Sequence, residues 1–190
     1  PSFFMRQTKF LQRLPTLCQR HRIFGFHKRP ANQTCVYRTI LEKFHIFTKV
    51  ELESREEIIY ETYAKTINIE ALAMIDMSGK QIIPAVIKYS KSLADTVNAV
   101  KAAGADASTQ MELLKEVSEN LTAMQTALKK LEKVEKEASA MEDAKEQAFF
   151  YKDCVKVAME ELRAPADRLE MIVDKEIWPI PTYGDLMFEV

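Results

Sequence analysis

The sequence predicts an all-α protein: an antiparallel up-down-up bundle of three long helices, followed by an extended, proline-rich C-terminal tail. The chain has 190 residues but only four glycines and seven prolines, which is too few for the many turns of an all-β fold. Its apolar residues recur at helical spacing over three stretches, at about 48–103, 109–139 and 141–175. With 47% hydrophobic residues, the chain can bury a substantial core.

The first predicted helix begins at Thr48, whose hydroxyl can cap it, with Glu51 at capping-box spacing. It ends at Gly104, because glycine readily adopts the left-handed backbone that closes a helix. Pro84 interrupts the pattern. Since proline removes one hydrogen bond and bends the axis, we expect a kink there.

Within this helix, residues 65–77 are apolar around almost the whole circumference. Four polar residues lie on one stripe of this helix: Lys65, Asn68, Asp76 and, one turn further on, Lys80. A helix of this kind needs partners on more than one face. Glu70 points away from the stripe and is the one candidate for a buried acid. It either contacts a ligand or interface, or it pairs with a neighbouring Lys or Tyr; we favour the pairing.

The second and third helices are expected to form an antiparallel pair joined by a short turn. Ser108 is the expected cap of the second helix, which carries a heptad seam. The seam consists of Leu114, Val117, Leu121, Met124, Leu128 and Leu131. Such a seam is more typical of an intramolecular core than of a dimer interface. Pro165 should kink the third helix.

The tail, residues 178–190, contains two prolines, which prevent a helix across it, and six large apolar side chains. These are Trp178, Ile180, Tyr183, Leu186, Met187 and Phe188. We predict that Trp178 packs on the bundle near the end of the third helix. Residues 180–188 should then run extended along a groove, with 186–190 more exposed than Trp178.

Charge divides the chain sharply. Residues 1–40 hold eight Lys/Arg and no Asp or Glu, whereas residues 41–190 hold the other 19 basic residues and all 28 acidic ones, a net of −9. We therefore treat 1–40 as a separate basic segment and 41–190 as the helical domain. Arginines interleaved with aromatics are compatible with nucleic-acid binding or a transit peptide. We favour a disordered or non-native segment instead, and we do not expect nucleic acid to be a partner.

No catalytic, cofactor-binding or metal-ligating residue is assigned. The chain has no GxxxxGK, GxGxxG, GxSxG or HExxH motif. Its three histidines are His21, His27 and His45. Two of them lie in the basic segment, which disfavours a nucleophile–histidine–acid site. Glu160 and Glu161 are adjacent carboxylates, but their directions on a helix diverge by about 100°, so we expect surface charges.

The cysteines indicate a reducing compartment, and we expect a cytoplasmic location. They are Cys18, Cys35 and Cys154. With no CxxC pair, neither a disulfide framework nor a zinc site is indicated. No apolar run approaches the roughly 20 residues that a membrane-spanning helix needs, so no membrane partner is expected.

Two stretches resemble the C-terminal helical region of type III glutamine synthetases. The first is residues 65–77, KTINIEALAMIDM, followed by QIIPAV at 81–86. The second is MEELR at 159–163 with DKEIWPIPTYGDLMF at 174–188, which is similar to the very end of that family. Their order, spacing and terminal position agree, and the resemblance covers about residues 41–190.

The resemblance implies a parent enzyme that uses ATP and a divalent metal (Mg) to join ammonia to glutamate, built from stacked rings of identical subunits. It places the nucleotide, metal and glutamate sites in an upstream β-rich domain that has no counterpart in this sequence. We therefore expect a structural C-terminal fragment that is inactive alone, whose partners are the catalytic domain and identical subunits. The alternative is a free-standing helical-bundle module for protein–protein interaction.

Overall fold

The structure, a computed structural model, describes residues 40–181 together with Asp185 and Met187. In this part of the chain all regular elements are helical, which confirms the all-α prediction. They are α1 Lys49–Met77, π1 Ser78–Ile82, α2 Ile83–Ala102, α3 Ser108–Ser139, α4 Ala144–Phe150, π2 Tyr151–Val155 and α5 Lys156–Ile172. The predictions for residues 1–39, 182–184, 186 and 188–190 lie outside the described residues.

The helix α1 begins with the predicted capping box. The backbone N–H of Thr48 donates to Oε2 of Glu51 at 2.7 Å, and the backbone N–H of Glu51 donates to Oγ1 of Thr48 at 3.3 Å. The backbone N–H and the hydroxyl of Thr48 both donate to the Glu51 carboxylate, and these two bonds hold the pKa of that carboxyl below its ordinary value because they favour its charged form. The sequence therefore gives the start of α1 correctly.

The expected interruption of the first helix is a widened turn, π1. Its bonding is i→i+5 rather than i→i+4, because the backbone N–H of Ile83 donates to the carbonyl of Ser78. Pro84, the second residue of α2, has no N–H and its ring would clash with the carbonyl four residues earlier in a regular helix. The extra residue in π1 accommodates the proline while the chain remains helical from α1 to α2.

The turn between α2 and α3 is closed by Gly104, as predicted. Gly104 has φ +76°, its N–H donates to the carbonyl of Lys101, and that of Ala105 donates to Val100. The prediction that Ser108 caps α3 is wrong by one residue, since Ser108 is the first residue of the helix. Its backbone N–H and hydroxyl both donate to the carboxylate of Asp106, which terminates the loop.

The third predicted helix is α4, π2 and α5 in uninterrupted succession. It starts three residues later than predicted, because Asp143 caps it by accepting from the backbone N–H of Glu146 at 2.7 Å. The Gln147 side chain donates to the carbonyl of Ala138. A residue of α4 thus provides a hydrogen-bond partner for one of the carbonyl groups at the end of α3 that have none within that helix. Pro165 lies inside α5, which continues through it to Ile172.

Two ion pairs fix the relative direction of α3 and α5. Lys130 Nζ lies 2.6 Å from Oε2 of Glu161. Arg168 Nε donates to Oε1 of Glu116 at 2.7 Å. Because the residue number rises along α3 as it falls along α5, the two helices run antiparallel.

The buried side chains form one cluster to which all the long helices contribute. Its fully buried members include Ala71 on α1, Val86 on α2, Val117, Met124 and Leu131 on α3, and Val155, Leu162 and Leu169 on π2 and α5. Three of the six seam positions predicted on α3 belong to this fully buried set. The seam is therefore used inside the chain, as its spacing predicted.

The start of the tail docks on this cluster. Trp178 and Ile180 are 7% and 5% exposed and belong to the same hydrophobic cluster, which confirms the predicted position of Trp178. Further along, Asp185 and Met187 have helical backbone, so the prediction of an extended course is wrong at these two positions. Lys175 forms an ion pair with Asp185 at 2.5 Å, which ties this part of the tail to the end of α5.

Candidate functional site

The described residues offer little for catalysis or metal binding. Among residues 40–181, Asp185 and Met187, no group of three or more His, Cys, Asp or Glu side chains is arranged to hold a metal ion. The only histidine in this part is His45, which lies in the turn before α1 with φ +52°. The helices described here include none long and apolar enough to cross a membrane.

Glu70 on α1, the candidate for a buried acid, is half-buried. Burial raises the pKa of its carboxyl, and the ammonium of Lys156 on α5 acts in the opposite direction. A lysine neighbour is the favoured outcome of the sequence analysis. Lys156 acts on Glu70 through its charge and provides no second catalytic group.

Glu160 and Glu161 are both exposed, as expected of divergent surface charges. Glu161 and Lys130 contribute to an open groove of about 630 Å³ between α3 and α5. The groove is lined by Ser118, Glu119, Thr122, Ala123, Thr126, Ala127, Lys130 and Glu161. Lys130 and Glu161 pair across the groove, and the third charged lining residue, Glu119, pairs with Lys115 on α3, so neither lining carboxylate is placed as an activated base.

A buried polar pair, Glu135 on α3 and Tyr151 on π2, was missed by the sequence analysis. Glu135 is 8% exposed and Tyr151 is 1% exposed. Burial, together with the nearby Glu135 carboxylate, raises the pKa of the Tyr151 phenol. The signal was present in the heptad, because position 135 continues the 3–4 spacing of the seam after Leu131.

The outward face of α1 is an uncovered apolar surface. Ile58, Ile69 and Leu72 are 59%, 69% and 47% exposed. They share the side of the helix opposite the buried Ala71 and Met74. Residues 65–77 were predicted to need partners on more than one face, and within the described part of the chain one of these faces is left open.

Comparison with known proteins finds glutamine synthetases that are similar to this chain. The family model of the glutamine synthetase C-terminal domain matches residues 30–101, which include α1, π1 and all but the last residue of α2. The glutamine synthetase of Bacteroides fragilis is 31% identical over 157 residues, and that of Butyrivibrio fibrisolvens is 35% identical over 147. The type-3 glutamine synthetase of Dictyostelium discoideum is 31% identical over 155 residues. This chain is therefore similar to glutamine synthetases, one of them a type-3 enzyme.

The relationship covers most of this chain but little of the relatives. The three matches include 80%, 76% and 78% of this chain, but only 22%, 21% and 21% of the synthetases from Bacteroides, Butyrivibrio and Dictyostelium. The chain thus spans about a fifth of the length of the curated glutamine synthetases it matches. The resemblance to the C-terminal helical region of this family is confirmed, and the remaining four-fifths lies outside the match.

Proposed function

We propose that this chain is the C-terminal helical domain of a type III glutamine synthetase and that it supplies structure and subunit contacts rather than chemistry. The observation that carries the proposal is the match to about a fifth of three glutamine synthetases. The polar residues support it, because among the described residues no three or more His, Cys, Asp or Glu side chains are grouped to hold a metal ion.

The parent protein is then an ATP-dependent glutamate–ammonia ligase that uses a divalent metal such as Mg. Its nucleotide, metal and glutamate sites lie in the catalytic domain, outside the matched region. No residue of this chain is assigned to ATP or metal, and the 190 residues alone do not turn over substrate. The partners are the catalytic domain and neighbouring identical subunits in a ring assembly in the cytoplasm.

The proposed domain is residues 41–190, preceded by the basic segment 1–40. Its architecture is an up-down-up bundle in which α1–α2, α3 and α4–α5 are the three long arms, completed by the proline-rich tail. The antiparallel course of α3 and α5 and the tight turn at Gly104 support this arrangement. The docked Trp178 supports a tail that belongs to the domain.

The alternative is a free-standing helical module that binds other proteins through its open apolar surface. The uncovered face of α1 at Ile69 and Leu72 is the observation in its favour. A surface of this kind serves equally well for contacts inside a synthetase. The family match makes the synthetase the better proposal.

A coupled assay for ATP-dependent formation of glutamine from glutamate and ammonia tests the lack of catalysis. The 190-residue chain should show no turnover, whereas the full-length Bacteroides fragilis enzyme is the positive control. Turnover by the chain would sink the proposal that it is non-catalytic.

A chimera distinguishes the two candidates. Residues 41–190 would replace the matching region of the Bacteroides fragilis enzyme, in parallel with a truncation that lacks this region. A domain of the same family should restore the assembly of the truncated enzyme, as measured by light scattering. A chimera that behaves like the truncation would favour the free-standing module.

A further inference from the structure

One face of the first helix carries six side chains in a regular series. They are Glu61, Lys65, Ile69, Leu72, Asp76 and Lys80, at spacings of 4, 4, 3, 4 and 4 residues. This spacing keeps all six on one side of α1 and the adjoining turn of π1 over about 28 Å. We call these six residues the α1 stripe.

The whole α1 stripe is accessible. The two central apolar side chains, Ile69 and Leu72, are 69% and 47% exposed. The side chains of Glu61 and Lys65 are 46% and 73% exposed, and those of Asp76 and Lys80 are 53% and 76% exposed. Lys65 pairs with Glu61, and Lys80 pairs with Asp76, within the helix. The stripe therefore has an apolar centre with one ion pair at each end.

The α1 stripe is complementary to a second copy of itself that runs in the opposite direction. Along the helix the order is negative, positive, apolar, apolar, negative, positive. When a second α1 is laid antiparallel across the stripe, Lys65 faces Asp76 of the other copy. In the same register Ile69 faces Leu72, and Glu61 faces Lys80. Each of these three contacts occurs twice, once in each direction between the two copies, as an isologous two-fold interface requires.

We infer that two copies of this chain associate through antiparallel pairing of their α1 stripes. Ile69 and Leu72 of both copies form the apolar centre of the contact. The two intrahelical ion pairs of each copy join into two four-charge clusters at its ends. This inference rests on the proposed role in subunit contacts and specifies the partner as a second copy.

The size of the contact sets the expected strength. One helix face of this length buries on the order of 1,000 Å² in a pair, which is at the low end for specific interfaces. The isolated chain should therefore form a reversible dimer whose population rises with concentration. Since the end clusters are solvent-exposed charges, added salt should weaken it.

The first experiment measures self-association of the full chain by sedimentation over a concentration series. Ile69→Glu places charge at the apolar centre and should weaken association by about tenfold or more. Met171→Glu is the matched control, because Met171 is similarly exposed, at 75% against 69% for Ile69, but lies on α5. Circular dichroism of each variant verifies that the helices are retained.

The second experiment inverts the charges of the α1 stripe. The variant carries Glu61→Lys, Lys65→Glu, Asp76→Lys and Lys80→Glu together. In this variant each ion pair within the helix still joins a positive and a negative side chain, and so does each charged contact between two inverted copies. The variant should therefore dimerise as the original chain does. An inverted copy facing an original copy meets like charge at all four charged positions. The two chains should therefore not form a mixed dimer when differently labelled and combined.

A control inversion uses the exposed i,i+4 pair Lys115–Glu119 on α3. Lys115→Glu with Glu119→Lys should leave mixing with the original chain unchanged. Free mixing of the α1-inverted chain with the original would overturn the proposed register. Equal weakening by Ile69→Glu and Met171→Glu would overturn the surface.

A chain that stays monomeric throughout would overturn pairing with a second copy. Binding only to the catalytic portion of a glutamine synthetase would overturn it too, while the proposed structural role would remain. Glutamine formation by the chain would contradict the proposed function without affecting the dimer. The two proposals thus fail separately.

Discussion

The backbone N–H of Trp178 donates to the carbonyl of Asp174 at 2.9 Å, directly after the end of α5. The turn that this bond closes places the indole, 7% exposed, in the main hydrophobic cluster. The tail is therefore fixed to the bundle at its first large apolar residue.

Trp178→Ala should lower the free energy of unfolding by about 3–5 kcal/mol, because it removes a large buried side chain and leaves a cavity. Urea unfolding followed by circular dichroism measures the change. Met171→Ala is the control, since Met171 is 75% exposed and its loss should change stability by less than about 0.5 kcal/mol. In the original chain, tryptophan emission should shift to longer wavelength on unfolding; an unchanged maximum would show that the indole is not docked.

Glu70→Gln should change the free energy of unfolding more favourably at pH 7 than at acid pH. Burial raises the pKa of Glu70 in the folded state, so its carboxyl contributes stability while protonated and loses that contribution as pH rises through the folded pKa. Glutamine is neutral at both pH values. Urea unfolding of both proteins at pH 7 and near pH 4 gives the difference. A larger gain at the acid pH would contradict the assigned direction of the pKa shift.

The two ends of the first predicted helix and the seam of α3 could be predicted from the sequence because each has a local chemical cause. Thr48 and Glu51 satisfy each other's backbone donors, and Gly104 supplies a positive φ without steric cost. Trp178 could be placed because a single large apolar residue beside prolines has few favourable positions other than the core.

The widened turns and the buried acid on α3 could not be predicted in the same way. Apolar spacing does not distinguish i→i+4 from i→i+5 bonding over five residues, so π2 left no trace in the pattern. Glu135 continues the spacing of the seam, but a charged residue is ordinarily placed on the surface, and only the folded structure shows that it is buried. The α1 stripe could be recognised only from the exposure of its side chains in the folded structure, because apolar residues at 69 and 72 are equally compatible with a second core face.

Tyr60→Phe should remove a component of alkaline unfolding. Burial, with the Glu56 carboxylate that accepts the Tyr60 hydroxyl at 3.0 Å, raises the pKa of Tyr60 to about 12. The unfolded value is about 10, so this group contributes stability below pH 10 and loses it as pH rises towards 12. The difference in urea midpoint between the two proteins should shrink over that range. A difference that stays constant from pH 9 to pH 12 would contradict the shift.

Pro84→Ala should not stabilise the protein, although alanine has a much higher helix propensity than proline. In a helix interior alanine is favoured over proline by about 3 kcal/mol. At this site, however, alanine restores an N–H and removes the ring clash, so an ordinary α turn competes with π1. Closing the extra residue of π1 would rotate α1 against α2 by about 100° and disturb the packing of Ile82 and Val86, both fully buried. We expect the free energy of unfolding to fall by about 1 kcal/mol in urea titrations.

Pro165→Ala is the control, because α5 passes through Pro165 without a widened turn, and there the melting temperature should rise. A higher melting temperature for Pro84→Ala, with unchanged helix geometry, would mean that π1 is not held in place by the fit between α1 and α2.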